Sequence, residues 1–169
     1  LAVKVDIRYE EQVAALVDQV KARFGHLDVL GNNASAVNLA STEKMEMKRW
    51  DLMNSINVRG TYMVSKYAIP LLKEGFNAHI LTLSPPLNLD KVWFGKHLGY
   101  TMAKYGMSMT VLGLAAELRP YKIAANALWP KTTIATAAVQ NLLGGNDLVE
   151  RSRNPEIMAD AAWSIVNKP

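Results

Sequence analysis

Tyr100-Thr101-Met102-Ala103-Lys104 sets a phenol and an ammonium four residues apart, which on a helix is one turn apart on the same side. Such a pair can work as a unit in proton transfer. A tyrosine ordinarily holds its proton until about pH 10, and an adjacent cation favours the phenolate and draws it toward a useful acid/base range. Tyr62-Met63-Val64-Ser65-Lys66 has the same spacing, so context must choose between them. Ala78-His79-Ile80-Leu81-Thr82-Leu83 reads as a buried strand that ends at Ser84-Pro85-Pro86, and Tyr100 stands on the helix that follows it. Tyr62 lies midway along a long helical stretch, where surface and packing roles suffice.

The surrounding pattern predicts the elements that position this pair. Ala2-Val3-Lys4-Val5-Asp6-Ile7 reads as a strand. Val13, Leu16, Val17, Val20 and Phe24 recur at helical spacing, with Gly25 as the stop. Leu27-Asp28-Val29-Leu30-Gly31 is a second strand opening into Asn32-Asn33-Ala34-Ser35, and a long helix is expected from Met47 to Lys73, kinked or shortened by Pro70. After Ser84, a loop with Trp93 and Phe94 leads to a helix over Leu98–Leu118, a strand over Ile123–Leu128, and a last helix over 155–166 with Pro155 in its first turn. Strands separated by helices imply parallel crossover units, hence a three-layer α/β sandwich with helices on both faces of a parallel sheet. Ligands sit outside the carboxyl ends of such strands. That rule gathers Asp6, Asn32 to Ser35, Ser84 and Pro130 on one rim.

Composition narrows the function classes. The 169 residues, half of them apolar, are enough for one domain, expected over 1–169. No apolar run reaches the roughly 18 residues that a membrane span needs, and acids in the first twenty residues do not suit a signal peptide. The absence of cysteine leaves no disulfide or thiolate metal site and suits a reducing compartment. His26, His79 and His97 lack metal-ligand spacing, so no metal is expected. The net charge of +4 is scattered, as in Lys44, Glu46, Lys48, Arg49 and Asp51, and is not the basic block of a nucleic-acid binder.

Asn32-Asn33-Ala34-Ser35, Asn57-Val58-Arg59-Gly60-Thr61, Tyr100-x-x-x-Lys104 and Asn126-x-x-x-Pro130 occur in the order found in the short-chain dehydrogenase/reductase family, which this sequence resembles over almost its whole length. Ser84-Pro85-Pro86-Leu87-Asn88-Leu89, Tyr105-Gly106-Met107-Ser108-Met109 and Asn126-Ala127-Leu128-Trp129-Pro130-Lys131-Thr132 resemble a hydroxysteroid dehydrogenase-like branch that includes bacterial proteins. The resemblance implies a Rossmann-like fold, NAD or NADP as cofactor, and a small carbonyl or alcohol substrate. It makes Tyr100 the proton donor to a carbonyl oxygen, Lys104 a ligand of the nicotinamide ribose, Asn57 the holder of a relay water, and Ser84 the substrate-orienting hydroxyl. Asp6 would lie near the adenine, Asn33 and Ala34 along the adenosine ribose, and Pro130 would complete the cofactor contacts. Homo-oligomerisation through the helices around 57–73 and 98–118 follows as well, as does a cytoplasmic location for a bacterial protein or a mitochondrial or peroxisomal one for a eukaryotic protein.

Read without that resemblance, Asp6 is equally a helix cap or a solvated charge, Ser84 a strand-end cap, and Asn57 a capping or surface residue. Three positions depart from the family pattern: Ser35 and Lys131 stand where glycine is usual, and Pro85 where the second serine of a pair is usual. The glycine-rich turn that follows the first strand of a dinucleotide site is not found, since Gly95, Gly99 and Gly144-Gly145 lack a strand-turn-helix context. The expectation is a chain cut from a longer parent, missing its first two strands and a closing strand, that binds the cofactor weakly by itself. Two classes stay open: part of an oxidoreductase acting on an apolar alcohol, aldehyde or ketone, and a noncatalytic remnant that only packs or self-associates.

Overall fold

The computed structural model describes residues 1–168. The chain divides into two compact units, Leu1–Ala127 and Leu128–Pro169.

The first unit is built on a parallel sheet of β1 (Val29–Asn32), β2 (His79–Thr82) and β3 (Ala124–Ala127), adjacent in that order. Val29 faces His79 and His79 faces Ala124, so the strands end together at Asn32, Thr82 and Ala127. Helix α1 (Glu10–Phe24) carries acids in its first turn and Lys21 and Arg23 in its last, which complements the helix dipole. Gly25 stops it at φ +80°, a left-handed value that suits glycine, and donates its N–H to the carbonyl of Lys21. Of its apolar stripe only Val13 is fully buried, and Phe24 lies exposed beneath the Arg23 guanidinium.

The helical stretch expected from Met47 to Lys73 is α2 (Met47–Asn54) and α3 (Thr61–Leu72), joined without a gap by a wide π turn over Ser55–Gly60. Pro70 lies inside α3 without stopping it, and the helix ends at Leu72, one residue short of the expected Lys73. Helix α4 (Leu98–Glu117) follows β2 after the Leu83–His97 segment, and six residues separate its end from β3. Helices α3 and α4 touch each other, α3 lies against β1 and β2, and α4 against β2 and β3. Their shared core is Ala68, Leu72, Ile80, Leu114, Leu118 and Ile123, with Leu30 and Ala125 packed against it. A fully buried leucine or isoleucine of this kind contributes about 1.5–3 kcal/mol.

The strand expected over Ala2–Ile7 is not formed. The segment lies outside every regular element, and no described strand bonds to it. Val3, Val5 and Ile7 are half-buried, so the alternating pattern reports sheltered side chains, whereas a strand also needs a partner edge.

In the second unit, a π turn over Val139–Gly144 runs into α5 (Gly145–Glu150), and α6 covers Glu156–Val166 with Pro155 as its cap. Ile134 and Arg153 form a parallel bridge, supported by the Ser152 hydroxyl at 2.8 Å from that of Thr133.

Candidate active site

The strand ends form a rim held together by polar side chains. Asn32, at the end of β1, donates from Nδ2 to Ser65 Oγ on α3 at 3.0 Å and to Thr82 Oγ1 at 3.4 Å. All three residues are buried, so these bonds fix the strand ends against α3 in a low-dielectric setting where an unmet polar group would be costly. Asn33, Ala34 and Ser35 then run exposed into the loop.

Asn57 lies in the π turn and is fully buried. Its Oδ1 accepts from the Ala36 N–H at 2.7 Å and its Nδ2 donates to the Ala36 carbonyl at 3.0 Å. The side-chain amide therefore pairs with a backbone amide as a neighbouring strand would, and clamps the loop that follows β1. Asn57 is therefore no surface cap: it is buried, with its side-chain amide bonded to backbone. The wide turn needs close packing above it: a Cβ on Gly106 of α4 would come within 2.6 Å of Val58 Cγ2.

Beyond β2 the chain enters Ser84-Pro85-Pro86, where two successive residues have no N–H to donate. The carbonyls there are met from α4. Lys104 Nζ donates to the Leu83 carbonyl at 2.6 Å, Ser108 Oγ to that of Pro85 at 2.6 Å, and the Tyr105 hydroxyl to that of Asn88 at 2.7 Å. Ser84 itself is fully buried and, among the described residues, its Oγ has no hydrogen-bond partner. A buried hydroxyl without a partner costs about 1–3 kcal/mol, which a bound ligand or water would recover.

Tyr100 lies half-buried one turn before Lys104 on α4. Burial governs the electrostatics of both groups: it raises the Tyr100 phenol above its usual value and lowers the Lys104 ammonium to about 8. The direction for Tyr100 is opposite to that expected from an adjacent cation. The amine reaches the Leu83 carbonyl and also lies 3.4 Å from Met107 Sδ, two turns beyond Tyr100.

Asp6 is neither a cap nor a free charge. Its carboxylate accepts from the Arg8 N–H and guanidinium, which holds it below the usual carboxylate range, while Tyr9 caps α1 with no side-chain bond. Pro130 belongs to the second unit and is half-buried there. Tyr62 is exposed, and Lys66 pairs with Glu10 at 3.5 Å.

Side chains that the motifs contain without a role, and one outside them, complete this region: Ser65, Ser108 and Tyr105, together with Thr101, which donates to the Trp93 carbonyl at 2.7 Å, and His97, whose Nδ1 lies 2.8 Å from the Leu39 carbonyl. One signal was available, because Thr101, Tyr105 and Ser108 follow the same one-turn spacing that marks Tyr100 and Lys104.

A family model described as enoyl-(acyl carrier protein) reductase matches residues 1–162. A crystal structure of a short-chain dehydrogenase from Mycobacterium thermoresistibile matches with 55% identity and a TM-score of 0.89, over 97% of this chain and 58% of that one. The chain belongs to the short-chain dehydrogenase/reductase family. Hydroxysteroid dehydrogenase-like protein 2 of Danio rerio is 54% identical over 165 residues, which is 98% of this chain and 39% of that relative. The chain thus spans about two fifths of the length of that relative. A metagenomic short-chain oxidoreductase solved in complex with NADP shares the fold, with a TM-score of 0.76 at 21% identity, over 97% of this chain and 66% of that one. For a member of the short-chain dehydrogenase/reductase family, a parallel sheet with α3 and α4 packed on one face and polar groups collected at the strand ends is the expected framework.

Proposed function

We propose that the protein carrying this chain transfers hydride between NAD or NADP and an apolar alcohol, aldehyde or ketone, with Tyr100 as general acid and base. The observation that carries this reading is the bond from Lys104 to Leu83, because it joins the helix bearing Tyr100 to the backbone beside the partnerless hydroxyl of Ser84. On this side the Lys104 amine fits a nicotinamide ribose and Ser84 Oγ a substrate oxygen; Asp6, Asn33, Ala34 and Pro130 are the proposed contacts of the rest of the cofactor. When bound, the nicotinamide supplies or accepts the hydride. Tyr100 then gives its phenolic proton to the substrate oxygen in reduction and takes it back in oxidation. Ser84 donates a hydrogen bond to the same oxygen, and Lys104, whose value of about 8 keeps it largely charged at neutral pH, favours the phenolate once drawn toward the ribose. Asn57 holds a water of the proton relay, from the turn whose side-chain amide clamps the loop at Ala36.

Deuterium transfer tests this. The full-length protein is supplied with 4,4-dideuterated NADH or NADPH and with decanal or 2-decanone, and the expected result is one deuterium at the former carbonyl carbon. Product free of deuterium with both cofactors and both carbonyls would refute the reading.

A second role, self-association, draws support from exposed Tyr62 on α3 and exposed Met102, Met109 and Leu112 on α4. These side chains suit a subunit contact of a homo-oligomer, and the noncatalytic reading would keep that contact alone.

A further inference from the structure

The segment after β2 has an unusual requirement. Pro85 and Pro86 cannot donate to a neighbouring strand or turn, yet the chain must hold Ser84 at a fixed place while its hydroxyl is buried and unmatched. The carbonyl of Leu83, before Ser84, is held by Lys104. The carbonyl of Pro85, after Ser84, is held by the Ser108 hydroxyl, which lies at the longer distance of 3.4 Å from the Lys104 carbonyl of its own helix. Asn88 is held at both its groups by one phenol: its carbonyl accepts from Tyr105 at 2.7 Å and its N–H approaches the same oxygen at 3.4 Å. The Tyr105 ring also meets Phe94 edge-on at 5.3 Å, so the far side of the loop rests on it as well. Tyr105 and Ser108 are both buried, which strengthens these bonds and makes their loss costly.

We propose that Ser108 and Tyr105 are positioning residues for the reaction: by holding the carbonyls of Pro85 and Asn88 they fix the backbone on which Ser84 presents its hydroxyl to the substrate oxygen. This rests on the reading of Ser84 given above. Neither side chain touches the reacting atoms; both act through Ser84.

The test uses the full-length protein with Ser108→Ala, Tyr105→Phe and Ser108→Thr, each made in the parent and in a Ser84→Ala background. Reduction of decanal with NADH or NADPH is followed together with amide hydrogen exchange over residues 87–89. Ser108→Ala is expected to lower kcat about tenfold with little change in the KM for cofactor, to speed exchange in that segment, and to be restored by Ser108→Thr. Tyr105→Phe is expected to act in the same direction. In the Ser84→Ala background neither change should lower kcat further, because residues that act through one group are not additive. Unaltered exchange overturns the proposal, and so does an equal further loss of kcat in the Ser84→Ala background, since the bonds then serve the fold alone. If Ser84→Ala is as active as the parent, the assignment of Ser84 fails and this proposal with it, an outcome separable from the others because exchange reports the tether without turnover.

Discussion

Lys104 on α4 donates a hydrogen bond of 2.6 Å to the carbonyl of Leu83, the residue that precedes Ser84. This single bond ties the chemistry-bearing helix to the end of the central strand, and it is made by an amine that burial makes easier to deprotonate. The folded value of about 8 lies below the ordinary 10.5, so between them the unfolded chain binds the proton that the folded chain has released. Stability from this group therefore rises as pH increases through that window. Relative to Lys104→Met, the parent chain should gain about 2 kcal/mol between pH 7 and pH 9.5. Urea unfolding of both at the two pH values measures it, and a constant difference would show that the amine titrates normally.

Asn57 and Ala36 form a reciprocal pair of hydrogen bonds. Asn57→Ala leaves the Ala36 N–H and carbonyl without these partners, at about 1–3 kcal/mol for each group that stays dry. Asn57→Asp keeps the acceptor but sets a carboxylate oxygen against the Ala36 carbonyl, so it should be no better than alanine. An aspartate variant with the parent's unfolding midpoint would show that the clamp adds nothing.

Gly106 and Gly113 lie on the same helix with opposite surroundings. A Cβ at Gly106 would meet Val58 Cγ2 at 2.6 Å, whereas one at Gly113 meets nothing within 4 Å. Val58 is branched at Cβ and yields poorly, so Gly106→Ala should cost about 1–3 kcal/mol. Gly113→Ala should be neutral or stabilising by up to about 1 kcal/mol, from helix propensity. Thermal melts of the two variants check the contrast, and equal shifts would mean that α4 does not press on the π turn.

The elements set by local chemistry were legible in the sequence, and those set by distant partners were not. Gly25 marks the end of α1 because a left-handed turn favours glycine, and the apolar run ending at Ser84 marks β2, whose ladder stops at Thr82. The Ala2–Ile7 pattern failed because alternation shows only which side chains are sheltered, and pairing depends on another edge. The same division holds in the site. Tyr100 and Lys104 are singled out by their spacing together with the strand that precedes their helix, but the choice of Leu83 by the amine, of Ala36 by Asn57 and of Pro85 by Ser108 each joins residues about twenty positions apart. Asp6 is the converse case: its partner Arg8 is only two residues away, and that close ion pair was missed because Asp6 was weighed only as a cap, a solvated charge or a cofactor contact.

The proposed role of Tyr100 as carrier of the proton in hydride transfer is tested by kcat for reduction of decanal by the full-length protein with NADH or NADPH, in Tyr100→Phe and in Tyr62→Phe. Removing the Tyr100 hydroxyl should lower kcat by about 10²–10⁴ with an unchanged melting temperature, the range expected of a general acid. Tyr62→Phe should leave kcat unchanged, since that side chain is exposed on α3. Near-parental turnover in Tyr100→Phe, or an equal loss in Tyr62→Phe, would contradict the assignment.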